Sequence, residues 1–278
     1  METIKNIITD HDKRGISILL PHVSDNVCEE AAELILNNGN KAVILTGFYI
    51  LSAGAAETDG PIGAIAIGNA LKKLNYQVTY ITDKFSAPPI KKVLSEDDNF
   101  IIFPHENVID SKKTASKIIK DINPNIIISI ERCGPTINGE YLNSRGKKID
   151  EFNSKTEFLL NNEIPSIGIG DGGNEIGMGN LNNIIKKSNQ LSNPPCITQT
   201  DILIPASTSN WGGYGLVAGL SKISKQNLLP SISEDEKLIK DFVDAGGVDG
   251  ITATSAYKVD SFELEVNSSI LERLHKTI

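Results

Sequence analysis

Four polar, glycine-bearing segments put ionisable or hydrogen-bonding side chains directly after apolar runs. The densest is GIGDGGNEIGMG at 168–179, with six glycines in twelve residues around Asp171, Asn174 and Glu175. Glycine permits positive φ and close ligand approach, at an entropic cost on folding. Its concentration around two carboxylates points to a built site rather than a plain turn. Asp171, Asn174 and Glu175, with the backbone N–H groups of Gly172 and Gly173, could hold a small zwitterion, move protons, or bind a hard cation through oxygen. A glycine-rich hinge with solvated acids is the structural alternative. The Gly168-x-Gly170-x-x-Gly173 spacing formally matches a dinucleotide fingerprint. However, Asp171 would oppose a pyrophosphate, and the strand near Asp201 lacks the ribose carboxylate.

The other three segments are GAAETDGPIGA (54–64), SIERCGP (129–135) and PASTSNWGGYG (205–215). In the first, Asp59-Gly60-Pro61 looks like a turn delivering a helix N-terminus, where an anion is favoured. Asp59 is either that helix's cap or a ligand-facing acid, and Glu57 is harder to explain by capping. In the second, Glu131 and Arg132 are neighbours at a strand end and point to opposite faces, so only one reaches a given ligand. A surface ion pair is the plainer reading of the two. Cys133 reads as a buried structural thiol. In the third, Ser207, Ser209 or Asn210 caps a helix or meets a ligand, and Trp211 is a core candidate. Asp249, in a further glycine patch at 246–252, is a weaker candidate. The four histidines show no paired spacing; His105, after a strand end, is an outside acid–base candidate.

The elements that must position these residues follow from apolar periodicity. Short β-branched runs predict strands over Ala42–Thr46, Gln77–Thr82, Phe100–Pro104, Asn125–Glu131, Ser166–Gly170 and Asp201–Pro205. Continuous apolar character suits a parallel sheet covered on both faces. Amphipathic spacing predicts helices over Asn26–Asn37, Pro61–Leu74, Pro88–Ser95, Ser111–Asp121, Glu151–Asn162 and Trp211–Ser224. Pro61 suits a first helical turn, while Ser111 and Asp150 suit caps. The alternation predicts one α/β domain over 1–278, a doubly wound, mostly parallel, Rossmann-like sheet flanked by helices in three layers. Helical extensions are expected at 1–12 and 232–278, the latter with one short strand. Two long connections, 47–60 and 132–150, follow strand ends, where open α/β sheets bind ligands.

Bulk composition narrows the function classes. Of 278 residues, 40% are apolar and 22% charged, and 35 acids against 27 bases give a net charge of −8. Dispersed lysine pairs, Lys147-Lys148 among them, read as solvated faces, so no nucleic-acid partner is expected. No apolar run approaches the ~18 residues of a membrane span, so no membrane partner is expected either. Three scattered cysteines without a CxxC pair suggest neither a disulfide framework nor a zinc ribbon, which fits a reducing cytoplasm.

Taken together, AETDGPIGA (56–64), SIER (129–132) with NGEYLN (138–143), and GDGGNEIGMG (170–179) resemble the D-glutamate cyclase family. The likeness is to its C-terminal domain, in a stand-alone form, from about Ile16 to the region of Gly250. The resemblance implies a hydro-lyase that cyclises D-glutamate, or a similar acidic amino acid, to 5-oxo-D-proline and water. Set against that chemistry, Glu131, Asp171 and Glu175 are the catalytic candidates for proton transfer. Arg132 with the Gly172 and Gly173 amides would hold carboxylates. Glu57, Asp59, Asn174, Ser209 and Asn210 complete the expected substrate site. No organic cofactor is expected; Mg²⁺ or Mn²⁺ is the cation the acids could take, and a homo-oligomer is compatible with the chain. The alternatives are a metal-dependent enzyme, or a non-catalytic binding domain, for a small carboxylated or phosphorylated metabolite.

Overall fold

The computed structural model describes residues 2–161 and 163–278. The chain runs through α1 (Ile4–Ile8), a 3₁₀ turn (Ile16–His22), α2 (Val27–Leu36), β1 (Lys41–Thr46), and a ribbon of β2 (Tyr49–Ile50) and β3 (Ala55–Ala56). It continues with α3 (Pro61–Lys73), β4 (Gln77–Asp83), α4 (Ala87–Val93), β5 (Asn99–Phe103), α5 (Val108–Ile122), β6 (Ile126–Ile130) and β7 (Ser166–Gly170). Then come α6 (Asn182–Ile185), β8 (Ile202–Pro205), α7 (Ser209–Ser224), α8 (Ile232–Asp244), β9 (Lys258–Val259), β10 (Phe262–Glu263) and α9 (Leu264–His275).

Six strands form one parallel sheet in the order β5-β4-β1-β6-β7-β8. Alternate side chains along a strand leave opposite faces. Ile44, Ile126 and Ile128 join the core with α1, α2, α3, α7, α8 and α9. Val43, Leu45 and Ile127 pack on the other side with Ala115 of α5 and Leu159. This is the expected three-layer α/β arrangement, with the heavier helical layer on one face. Strand order reverses between β1 and β6, where Thr46 pairs with Ile130. Gly47 and Glu131 therefore leave the sheet side by side at its topological switch point, where open α/β sheets bind ligands.

The expected helix over 151–162 is corrected. Residues 150–152 and 156–159 form two 3₁₀ turns with extended backbone at Asn153 between them; Asn162 lies outside the described residues. Tertiary hydrogen bonds override the local periodicity here. The Ser154 carbonyl accepts from Arg132 at 2.9 Å, the Ser154 hydroxyl donates to the Phe103 carbonyl at 3.1 Å, and the Asn153 amide donates to the Cys133 carbonyl at 3.3 Å.

Three caps also differ from expectation. Asn107 caps α5 and Ser111 is buried inside it. Thr208 caps α7, which starts at Ser209. Asp150 caps no α-helix. At the C-terminal end two short strands, β9 and β10, pair where one was expected. At the N-terminal end α1 occupies part of the expected 1–12 extension, of which Met1 lies outside the described residues. Among the described residues no helix is long and apolar enough to cross a membrane.

Candidate active site

Glu131 is the first residue beyond β6, and its backbone sits in the left-handed region at φ +44. That conformation costs a non-glycine residue roughly 1–3 kcal/mol and persists only where the surroundings enforce it. Here the enforcement is visible. The Glu131 N–H donates to the Ile169 carbonyl of β7, and its Oε2 accepts from the Ser209 hydroxyl at 2.5 Å. Gly60 packs against it so tightly that a Cβ there would lie 2.4 Å from the Glu131 Cβ.

Around Glu131 the ends of β6 and β7, the approach to α3 and the β9–β10 turn bring carboxylates together. Oxygens of Glu131, Asp171 and Glu175 lie within 4.8 Å of one another, as do oxygens of Asp59, Asp171 and Asp260. With Glu57 these six side chains are each at most 4% exposed. Arg14 is the cation that enters the group. Its Nη1 donates to Asp171 Oδ1 at 3.1 Å and its Nη2 to Asp260 Oδ2. The Asp12 carboxylate sets up the turn that delivers it, accepting from the N–H groups of Arg14, Gly15, Ile16 and Ser17.

Crowding and burial decide the protonation chemistry. Burial raises the Glu131 carboxyl well above its ordinary range; Glu175 and Asp59 add to the shift, while Arg14 and the Ser209 hydroxyl oppose it. Burial likewise raises Glu57, with Glu131, Asp260 and Asp59 adding. Asp171 is raised by burial against the pull of Arg14. Burial and the charge of Asp260 push Asp59 up to about 7, and the N–H groups of Asn210 and Ser209 hold it back. For Arg14, burial works against the charged form, but Asp171 and Asp260 more than reverse this, so it stays protonated. Such a set keeps some carboxyls protonated beside ionised ones near neutral pH, the condition for paired acid and base roles.

Not every expected site residue faces open space. The crevice at the switch point is lined by Arg14, Glu57, Glu131 and Asn174, by Phe48–Ser52, and by the loop bearing Arg145 and Lys147. Asp59, Asp171 and Glu175 lie beneath this surface, wholly or almost wholly buried. The Gly172 and Gly173 amides donate to the two oxygens of Glu175, at 2.9 and 2.8 Å, and so are taken by the chain's own carboxylate.

Arg132 is a clear correction. It turns to the opposite side and is fully buried on Asp83, the Gly47 and Ser154 carbonyls and the Thr156 hydroxyl. As expected for neighbours at a strand end, only one of Glu131 and Arg132 reaches the crevice. Asn174 also binds the protein, through the Leu142 carbonyl and the Ser192 hydroxyl, while lining the crevice.

Asp59 and Asn210 cross-cap two helices. Asp59, just before α3, accepts from the Ser209 and Asn210 N–H groups of α7 at 2.8 and 2.7 Å. Asn210, in α7, accepts from the N–H groups of Gly60, just before α3, and Gly63, in its first turn, at 2.8 Å each. Asp59 is thus a cap, but of the distant helix, so both readings weighed for it missed its partner. Trp211 is buried, donating to Asn267 at 2.7 Å. Cys133 is a buried thiol, raised well above its ordinary range by burial. His105 is exposed beside Phe85 and Asp150, outside the crevice.

Arg14 and Asp260 carried no signal in sequence, because neither ends an apolar strand run and each reads as an ordinary polar turn residue. Lys147 belongs to a lysine pair that reads as a solvated face, and it is exposed as expected. The turn closed by Asn143 N–H on the Lys147 carbonyl (2.9 Å) also brings its loop to the crevice rim.

The human protein "D-glutamate cyclase, mitochondrial" is 29% identical over 230 residues, 76% of this chain. The match spans 37% of the human protein's length. Among solved structures, an exopolyphosphatase-related protein from Bacteroides fragilis aligns with a TM-score of 0.45 at 10% identity, covering 91% of this chain and 57% of that one. A family model described as "D-glutamate cyclase-like, C-terminal" matches residues 4–275. With nearly its whole length accounted for, the chain belongs to the D-glutamate cyclase-like, C-terminal family.

Proposed function

We propose that this chain is a lyase that cyclises an amino dicarboxylate to its five-membered lactam with loss of water, with D-glutamate as substrate and 5-oxo-D-proline as product. The observation that carries this reading is the charge pattern of the crevice. Glu57 and Glu131 stand on one wall, Arg14, Arg145 and Lys147 face the same space, and Phe48, Ile50, Leu51 and Ile251 supply apolar surface. One ammonium, two carboxylates and a short methylene chain complement that pattern. The name of the human relative supports D-glutamate as the particular substrate.

The residues fit the proton balance of the reaction. In forming the lactam, the substrate ammonium gives up two protons and the departing oxygen takes up two. The C–N bond forms at the γ-carboxyl carbon, and the C–O bond breaks to release water. Glu131 and Glu57, both held above the ordinary carboxyl range, take protons from the nitrogen and return them to the oxygen. Arg14 and the loop cations hold the substrate carboxylates and offset charge on the tetrahedral intermediate. Folding the substrate so that nitrogen meets its own carboxyl can supply on the order of 7–11 kcal/mol.

The test is incubation of the purified, folded chain with D- and L-glutamate, followed by proton NMR. Lactam is expected from the D enantiomer. If no dicarboxylic amino acid of either hand yields a lactam, the proposal fails.

A further inference from the structure

A second groove, of ≈ 490 Å³, opens between α3 and α8, and among the described residues it shares no lining residue with the crevice. Its size falls within the range of small-molecule pockets. Ile65 and Ala66 of α3, Val93 of α4, Leu228, and Leu238 of α8 supply apolar walls.

One buried polar group lines these walls. Asp235 is 2% exposed. Its Oδ1 accepts from the Tyr214 hydroxyl of α7, and its Oδ2 is buried without a hydrogen-bond partner. Burial pushes this carboxyl up to about 7; the Tyr214 hydroxyl opposes the shift and Glu236 adds to it. With Oδ1 already accepting, the proton of the neutral acid sits on Oδ2 and has no acceptor in the chain. A buried donor left unpaired is costly, and a ligand that accepts from it recovers that cost.

The other charges around the groove are more exposed and offset one another. Lys72 of α3 pairs with Asp98, and Lys237 of α8 with Asp241. The Glu234 carboxyl is held below its ordinary range by the Ser231 hydroxyl and N–H, with a smaller pull from Lys73 of α3. Of the lining residues, α4 contributes only Val93, which carries no charge.

We propose that this groove binds a small uncharged molecule with an apolar body and one carbonyl or amide oxygen, which accepts from Asp235 Oδ2. An ammonium would require an ionised Asp235 in apolar surroundings, which burial opposes. A carboxylate would meet no cation as deeply buried as Asp235 among the described residues. The site is independent of the lyase reading, and its test involves no turnover.

Benzamide is the probe, titrated into the full-length protein and followed by methyl ¹H–¹³C NMR. At pH 6 binding is expected to saturate in the millimolar range and to move the methyl signals of Val93, Leu228 and Leu238. Affinity should fall at least about tenfold at pH 8.5, where Asp235 has lost its proton. Asp235→Asn keeps both a donor and an acceptor, so it should bind benzamide equally at the two pH values. Asp235→Ala should lose binding at both. Benzylamine, the same ring carrying an ammonium, should bind more weakly than benzamide at pH 6. Lack of saturable binding overturns the proposal, as do shifts confined to methyls outside the groove, a preference for benzylamine, or parental affinity in folded Asp235→Ala. If Asp235→Ala does not fold, the parent and Asp235→Asn decide between them: a parental affinity that ignores pH overturns the proposal.

Discussion

Glu131 does two things at once: it takes a backbone conformation that favours glycine, and it places a raised carboxyl on the crevice wall. Its replacement by glutamine keeps size and the contact with Ser209 but removes the exchangeable proton. In Glu131→Gln, kcat for lactam formation is expected to fall by about 10²–10⁴, with KM little changed, as steady-state kinetics would reveal. Arg14 is the other decisive side chain. Removing it leaves Asp171 and Asp260 without their shared donor, and breaking such a buried pair costs about 3–5 kcal/mol. Urea unfolding of Arg14→Ala should show that loss as a lower midpoint at an unchanged slope. Glu131 was legible in sequence because it ends an apolar strand beside glycine-bearing segments. Arg14 was not, since nothing within DHDKRGIS distinguishes a clamp from a surface turn.

Helices α3 and α7 meet at their N-terminal ends and cap each other through Asn210 and Asp59. Small residues allow the approach, since a Cβ on Gly213 would lie 3.1 Å from the Gly63 Cα. Asn210→Ala leaves the Gly60 and Gly63 N–H groups without their acceptor. A loss of about 1–3 kcal/mol is expected for each group left unpaired, measurable by chemical denaturation. The loop carrying Arg145 and Lys147 acts differently. Both residues are exposed and reach the crevice from outside it. Arg145→Ala combined with Lys147→Ala is expected to raise KM for an acidic substrate with little change in kcat, and to flatten the dependence of kcat/KM on ionic strength. A wild-type KM in that double variant would remove the loop from substrate binding. Helix periodicity was readable along each segment, whereas the partner of each cap was not, because it lies some 150 positions away.

The burial that tunes the crevice also acts elsewhere in the molecule. Asp235 of α8 accepts from the Tyr214 hydroxyl of α7, leaves its second oxygen without a partner, and is pushed up to about 7 by burial. A carboxyl whose folded pKa exceeds its unfolded value of ~3.9 binds its proton more tightly when folded. Its stabilising contribution is therefore complete below about pH 4 and lost as pH rises through about 7. Asp235→Asn keeps an acceptor for Tyr214 and carries no charge. The variant and the parent are expected to melt together near pH 4. By pH 8 the variant should be the more stable, by on the order of a few kcal/mol. Equal melting temperatures at pH 8 would mean that folding does not raise the Asp235 carboxyl.

Local chemistry was enough to determine the alternation of apolar strands and amphipathic helices, and hence the three-layer sheet. It also located the glycine-bearing strand ends where acids gather, because strand periodicity and glycine's φ range act over a few residues. Only the tertiary structure decided which acids face open space. It set Glu57 and Glu131 on the wall and Asp171 and Glu175 beneath, turned Arg132 onto Asp83, and brought Arg14 and Asp260 in from the two ends of the chain. Solvation and charge are properties of distances in space, and residues far apart in sequence acquire those distances only when the sheet closes around them.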